Sequence, residues 1–429
     1  MSLFANKSYA VVGLGRAGLP AARRLREYGA NVLVWDDGAA SRDAAIAEGF
    51  EVGQPSLSGR TFMALVLSPG IAHQLPKPHP EAAWALAQGL PILTDVELLY
   101  QAVRASVSKA RFAGITGTNG KSTTTALLAH ILTAAGVPNA AGANLGPAAL
   151  SLPILPDDGV YVLEMSSYML ERLATMRFDV AVMLNLSPDH LDRHGDMAGY
   201  AMAKREIFAR QGADCAAIIG VDDAPSREMA AWLHAQAAPV VEITGVGHET
   251  GAKALPGLHN AQNAEAARAA ARALGVDETV IAAAIMSFPG LAHRAQEVAV
   301  RGGVRFINDS KATNADAASR AMGVHERFVW IAGGMAKEGG IAALAPFFPR
   351  IETAFLIGRD GPAFAATLSA AGVPNRYVET LDNAVPAAFA AARQGAGVVL
   401  FSPATASFDQ FANFEVRGEH FTALAKGAS

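Results

Sequence analysis

The chain has 429 residues and a net charge of −4 with no basic block, which argues against nucleic acid as a partner. Mean hydropathy is +0.22, yet Gly, Pro or charge breaks every apolar run short of the ~20 residues a spanning helix needs, so membrane insertion is not expected. The single cysteine, Cys215, excludes an internal disulfide and fits a reducing compartment, and the length suggests roughly two to four domains.

The N-terminus lacks the layout of a secretory signal, so a cytoplasmic protein is expected. Apolar stretches at 9–13, 31–35 and 63–67 read as strands, with a helical pattern at 19–28 between the first two. Continuous apolar strands alternating with helices indicate a parallel sheet covered on both faces. Gly13-Leu14-Gly15-Arg16-Ala17-Gly18 is a complete G-x-G-x-x-G at the first strand–helix junction, and Asp36 ends the next strand. Taken alone, these residues predict a dinucleotide site, and a dehydrogenase is the rival reading. Ser68-Pro69-Gly70 closes the third strand, and the small, polar segment 103–110 reads as a linker.

A second unit opens with a strand at 112–116 and the turn Gly117-Thr118-Asn119-Gly120-Lys121-Ser122, followed by a helix over 122–135. A Gly-rich turn between strand and helix aims backbone N–H groups at an anion. Lys121 can reach outer phosphates and the Ser122 hydroxyl can meet Mg²⁺. The strict P-loop pattern fails, because Ile115 stands where its first Gly belongs. Strands follow at 160–163 and 180–184. The first is followed by Glu164, a candidate Mg²⁺ ligand, and the second by Asn185-Leu186-Ser187-Pro188-Asp189-His190-Leu191-Asp192-Arg193-His194. Lys204 lies on a helix face, and Asn260 reads as the N-cap of an Ala-rich helix over 260–274. The pattern stops near Phe288-Pro289-Gly290.

The third unit alternates again, with strands at 304–307, 328–331, 354–357 and 398–401. The first of these runs into Asn308-Asp309-Ser310-Lys311-Ala312-Thr313-Asn314, more polar groups than a packed core tolerates, which marks a site.

Thr116-Gly117-Thr118-Asn119-Gly120-Lys121-Ser122-Thr123 resembles the ATP loop of the Mur ligases and folylpolyglutamate synthases, whose shortened variant accounts for Ile115. Five further blocks resemble that family in order. Glu164 and His190 match its Mg²⁺-holding residues, and Lys204 matches its carbamylated lysine. His259-Asn260-Ala261-Gln262-Asn263 is similar to the motif whose asparagines contact the adenine side of ATP. Arg294 matches a phosphate-reaching arginine, Asp309 a ribose contact, Lys311 a lysine near the transferring phosphoryl, and Thr313 a residue facing the amino acid. The stretch Ser402 to Gly418 resembles the signature of the glutamate-adding branch, where Ser407 and Phe414 match contacts to the glutamate carboxylates. Lys337 matches a lysine that pairs with the side-chain carboxylate. The N-terminal glycines then resemble a UDP site, with Gly15, Gly18, Asp36, Ser68 and Gly70 on the UDP-sugar and Asn144 reaching it from the second domain.

The resemblance implies three α/β domains: a Rossmann-like UDP-sugar domain over 1–106, a P-loop-type ATP and Mg²⁺ domain over 107–290, and a Rossmann-like amino-acid domain over 291–429. It implies a monomeric ATP-dependent ligase of peptidoglycan precursor synthesis, joining D-glutamate to UDP-N-acetylmuramoyl-L-alanine through an acyl phosphate. Another amino acid, such as L-glutamate, is the alternative acceptor. Closure of the third domain is expected to exclude water from the acyl phosphate.

Overall fold

The computed structural model describes residues 3–236, 239–336 and 339–427. The chain separates into two compact units, one ending at Phe288 and the other starting at Pro289. Among the described residues, no helix is long and apolar enough to cross a membrane.

The first unit holds two sheets. Strands β1 (Ser8–Val12), β2 (Asn31–Trp35), β3 (Glu51–Val52), β4 (Leu65–Leu67) and β5 (Ile92–Leu93) form an all-parallel sheet in the order β3-β2-β1-β4-β5. Strands β6 (Arg111–Thr116), β7 (Asn139–Ala143), β8 (Val160–Glu164), β9 (Val180–Met183), β10 (Ala216–Gly220) and β11 (Val240–Ile243) form a second parallel sheet, ordered β11-β10-β9-β6-β8-β7. The central strands are runs of Val, Ile, Leu and Ala because helices cover both faces. In each sheet the strand order reverses at a central strand, β1 or β6. The crevice beyond its C-terminal end is where such sheets take ligands.

The segment read as a linker at 103–110 is partly helix. The helix Asp95–Ala105 buries Leu98, Leu99 and Val103, because these apolar side chains fall on one face, so only 106–110 lies between helix and β6. One apolar cluster runs from Val11 and Leu99 to Phe112, Tyr161 and Phe178, so the two sheets share a core. Phe112 stacks on Tyr161 at 4.7 Å between ring centroids, with Tyr100 edge-on to Phe112 at 5.2 Å. The predicted strand at 63–67 starts only at Leu65, and the Ala-rich helix starts at Leu258 rather than Asn260. Gly257, at φ +80°, makes the turn into that helix, and Asn260 instead donates from Nδ2 to Pro256 O at 2.9 Å.

The second unit carries β12 (Gln296–Arg301), β13 (Val304–Asn308), β14 (Phe328–Gly333), β15 (Ile351–Ile357), β16 (Asn375–Glu379) and β17 (Val398–Phe401). They are ordered β12-β13-β17-β14-β15-β16, parallel except for the β12–β13 pair. The C-terminal ends of β13, β17 and β14 therefore lie on one edge of the sheet and bring the loops at Asp309, Ser402 and Gly334 together.

Glu97 is fully buried on the helix Asp95–Ala105. It accepts the backbone N–H groups of Ala174, Thr175 and Met176 at 3.0–3.1 Å and the Thr175 hydroxyl at 2.5 Å. Glu97→Ala leaves these buried donors unsatisfied. It should cost about 2–5 kcal/mol, read as a lower denaturant midpoint at unchanged slope.

Candidate functional site

The Gly117 loop leaves β6 and enters the helix Lys121–Ala134. Gly117 and Gly120 take φ of +146° and +85°, and a Cβ on Gly120 would lie 2.1 Å from Asn263 Oδ1. Only glycine fits there, which fixes the turn ahead of the helix N-terminus. Asn119 N–H donates to Asn185 Oδ1 at 2.8 Å, Asn185 Nδ2 donates to Asn119 O at 3.2 Å, and Thr118 Oγ1 donates to Ser187 O at 3.1 Å. The Asn185 segment after β9 thus braces the loop. Asn263 Nδ2 donates to Asn260 Oδ1, which joins the two asparagines predicted for the adenine side.

Two lysines share one acceptor in this loop. Gly117 O accepts from Lys121 Nζ at 2.9 Å and from Lys204 Nζ at 2.8 Å, and Lys204 also donates to Thr116 Oγ1 at 3.2 Å. Lys204 is 1% exposed. Burial, with Lys121 adding repulsion, holds its pKa well below the usual lysine range. Glu164, 2% exposed at the end of β8, accepts from Asn144 Nδ2 on Oε1 at 2.5 Å. Its Oε2 is buried with no hydrogen-bond partner among the described residues. His190 adopts φ +53° before the short helix Leu191–His194, a left-handed conformation rare for a non-glycine residue. Among the described residues, no three His, Cys, Asp or Glu side chains cluster as a ready-made metal site.

A cleft of about 550 Å³ opens beyond β1, lined by Gly13, Gly15, Asp36, Ser68, Gly70 and Asn144 among others. The Gly18 Cα faces the Gly13 carbonyl so closely that a Cβ would lie 1.8 Å from it, so Gly18 shapes the turn and does not line the cleft. Asp36 accepts Leu14 N–H at 2.7 Å and Gly38 N–H at 2.8 Å, and so holds the glycine turn from the next strand. Asn144 lines this cleft and bonds Glu164 at the same time. The sequence reading overlooked Arg16, which lines the cleft and reaches Gly146 O at 3.1 Å. It also gave no role to Tyr200 or His194. Tyr200 lies 3.3 Å from Thr118 Oγ1 through its hydroxyl, and Lys204 Nζ lies 4.8 Å from its ring centroid. His194 bonds Ser167 Oγ at 2.9 Å. A cation inside the Gly13–Gly18 motif was the one available signal. Tyr200 and His194 are neighbours only through folding.

In the second unit, Asp309 accepts from Ser402 Oγ at 2.7 Å and from Ala295 N–H at 3.1 Å. Lys311 Nζ lies 4.0 Å from the Phe414 ring centroid. Phe414 is the first residue of the helix Phe414–Lys426, capped by Asn413, and Ser407 is buried nearby in sequence. Thr313 N–H donates to Lys311 O, and Arg294 follows the boundary segment. Lys337 lies outside the described residues.

Residues 115–253 match the Mur ligase middle domain. The chain is 47% identical to the UDP-N-acetylmuramoylalanine--D-glutamate ligase of Paramagnetospirillum magneticum, over 99% of this chain and 97% of that one. It is 46% identical to the protein of the same name from Caulobacter vibrioides, over 99% and 96%. The chain belongs to the Mur ligase family. The crystal structure of the UDP-N-acetylmuramate-alanine ligase MurC from Thermotoga maritima shares the fold of this Mur ligase, with TM-score 0.61, 17% identity and coverage of 99% and 100%. The α/β architecture with parallel sheets expected from the sequence is that of these ligases, and membership of the family removes the dehydrogenase as a description of the whole chain.

Burial raises the Asp309 pKa from its ordinary 3.8 to about 7, against the lowering effect of its Ser402 and Ala295 donors. The fold therefore favours the protonated acid. That contribution is complete below pH ~4 and is lost as pH rises through ~7. Asp309→Asn should flatten the fall in unfolding free energy between pH 4 and 7, measured by urea titration at each pH.

Proposed function

We propose that this Mur ligase joins D-glutamate to UDP-N-acetylmuramoyl-L-alanine, with ATP as the energy source, in peptidoglycan precursor synthesis. The observation that carries the reading is the 47% identity, over nearly the full length of both chains, to a ligase of that name. In this reading the protein works as a monomer in the cytoplasm. The cleft beyond β1 takes the UDP-sugar, the Gly117 loop takes ATP, and the second unit takes the amino acid. Domain limits at 1–106, 107–290 and 291–429 are part of the same proposal.

The residues around β8 fit Mg²⁺. Glu164 presents a buried oxygen with no hydrogen-bond partner among the described residues, the donor type this hard cation prefers. Ser122, Glu164, His190 and a Lys204 carbamate would hold the ion, which when bound would neutralise charge on the phosphates. The depressed pKa of Lys204 favours its neutral amine. That neutral amine adds to the carbon of CO₂ and loses a proton, giving a carbamate anion. The carbamate attracts Lys121, which would repel a Lys204 ammonium.

The L-alanyl carboxylate attacks the γ-phosphorus of ATP, the β–γ bridging bond breaks, and an acyl phosphate and ADP result. Lys121 and the N-terminus of the helix Lys121–Ala134 stabilise the spread anionic charge. The glutamate amine then attacks the acyl carbon, loses a proton, and phosphate leaves as the amide forms. On the second unit, the Phe414 helix N-terminus and Ser407 are suited to a carboxylate. Thr313 and Lys337 complete the proposed amino-acid set, and Arg294, Asp309 and Lys311 keep the ATP-directed roles the resemblance implies.

The test is phosphate release by the purified chain with ATP, Mg²⁺ and UDP-N-acetylmuramoyl-L-alanine, adding D-glutamate or L-glutamate. Release that requires D-glutamate, with the matching product mass, is expected. Release only with another amino acid would move the acceptor assignment. Lys121→Ala should lower turnover by roughly 10²–10³-fold while UDP-sugar affinity stays within about twofold. In CO₂-depleted buffer, activity should fall and return on adding bicarbonate, and Lys204→Ala should show no such return.

A further inference from the structure

Arg172 is 4% exposed and lies behind the loop that closes the UDP-sugar cleft. Its guanidinium donates to the carbonyls of Leu67, Ser68 and Ile71 at 3.1, 3.2 and 2.5 Å, and Pro69 O stands at 3.5 Å. Across a planar trans peptide, the carbonyl of one residue and the N–H of the next point in opposite directions. Drawing Pro69 O towards Arg172 therefore turns the Gly70 N–H the other way. Gly70 lines the cleft, and its N–H donates to no group among the described residues. The loop hides its carbonyls, which would repel a diphosphate, and presents a donor.

Arg172 is tied to a second arginine. His73 Nδ1 lies 3.2 Å from Arg172 Nε and 3.0 Å from Arg193 Nη2. Arg193 also donates to Leu75 O at 2.7 Å and Glu171 Oε1 at 2.8 Å, and its backbone N–H holds His190 O at 3.0 Å. Glu171 lies 3.5 Å from His73 Nδ1, a spacing that would suit an ion pair with an imidazolium. Two permanent guanidiniums on the same nitrogen decide against that pair. Burial and both arginines lower the His73 pKa to about 4, so the ring is a neutral acceptor.

We propose that Arg172 and Arg193 are positioning residues which, through the shared acceptor His73 Nδ1, hold the Ser68–Gly70 loop and the His190 segment in one register. Filling the UDP-sugar cleft and placing His190 are then parts of a single arrangement. The inference rests on the functional reading above and adds to it residues that touch neither substrate.

The experiment uses the full chain, with KM for UDP-N-acetylmuramoyl-L-alanine, KM for ATP and kcat measured separately. Circular dichroism and thermal melting show which variants are folded at the assay temperature. Arg172→Lys keeps the charge but loses the fork that spans several carbonyls. It should raise the UDP-sugar KM roughly tenfold or more and leave the ATP KM within about twofold. His73→Leu removes the shared acceptor and should raise the UDP-sugar KM and lower kcat together, whereas His73→Asn, whose Oδ1 can replace Nδ1, should restore both. If Arg172→Lys leaves the UDP-sugar KM unchanged, or if His73→Leu and His73→Asn behave alike, the positioning role is wrong. A wild type that binds no UDP-sugar in calorimetry overturns the functional reading, and the inference with it. A wild type that binds, with Arg172→Lys and His73→Leu matching it, overturns the inference alone.

Discussion

One backbone carbonyl, that of Gly117, accepts from the side-chain nitrogens of two lysines, and the geometry of the Gly117 loop depends on that arrangement. Burying Lys204 strips its water, which costs several kcal/mol for an ion left charged. Among the described residues, its direct acceptors are Gly117 O and Thr116 Oγ1. An amine in that position is driven towards its neutral form, and a neutral buried amine is reactive. The same geometry requires glycine at 117 and 120, because one residue sits in a left-handed turn and the other at a φ that side chains avoid.

The two crevices of the first unit are joined by polar side chains rather than by a flexible linker. Asn144 lines the cleft beyond β1 and bonds Glu164 at the end of β8. Glu97 pins the helix Asp95–Ala105 to the 174–176 loop. Arg172 and Arg193 meet at His73. Glu164, Glu97, Arg172, Arg193 and His73 are buried polar groups whose loss leaves their partners unsatisfied, so they hold geometry more strongly than an apolar contact of equal area.

The second unit repeats the device in a different sheet. Arg417 is 1% exposed and donates to Ser310 Oγ, Ser310 O and Thr405 O, tying the loop after β13 to the loop after β17. Asp309 and Ser402 are joined across the same two loops. Asp309 and Ser310 are tolerated in a buried setting because these partners satisfy them.

Much of this protein was legible in the residues themselves. Continuous apolar runs located β1, β2, β4, β6, β8, β9, β13, β14, β15 and β17, because strands covered on both faces must be apolar throughout. Six of the strands left unread, β3, β5, β7, β11, β12 and β16, are the sheet edges, where one side meets solvent or a loop and sequences such as Asn139–Ala143 or Asn375–Glu379 carry no continuous apolar run. The Gly117 turn was readable because glycine spacing and a following helix are local. The tertiary structure alone decided that Lys204 shares an acceptor with Lys121, that Asn144 spans to Glu164, and that Arg172 faces the cleft loop about a hundred residues earlier in the chain. Those relations depend on which strand ends lie side by side, and strand order in a parallel sheet is set by packing over the whole unit, not by any local run of residues.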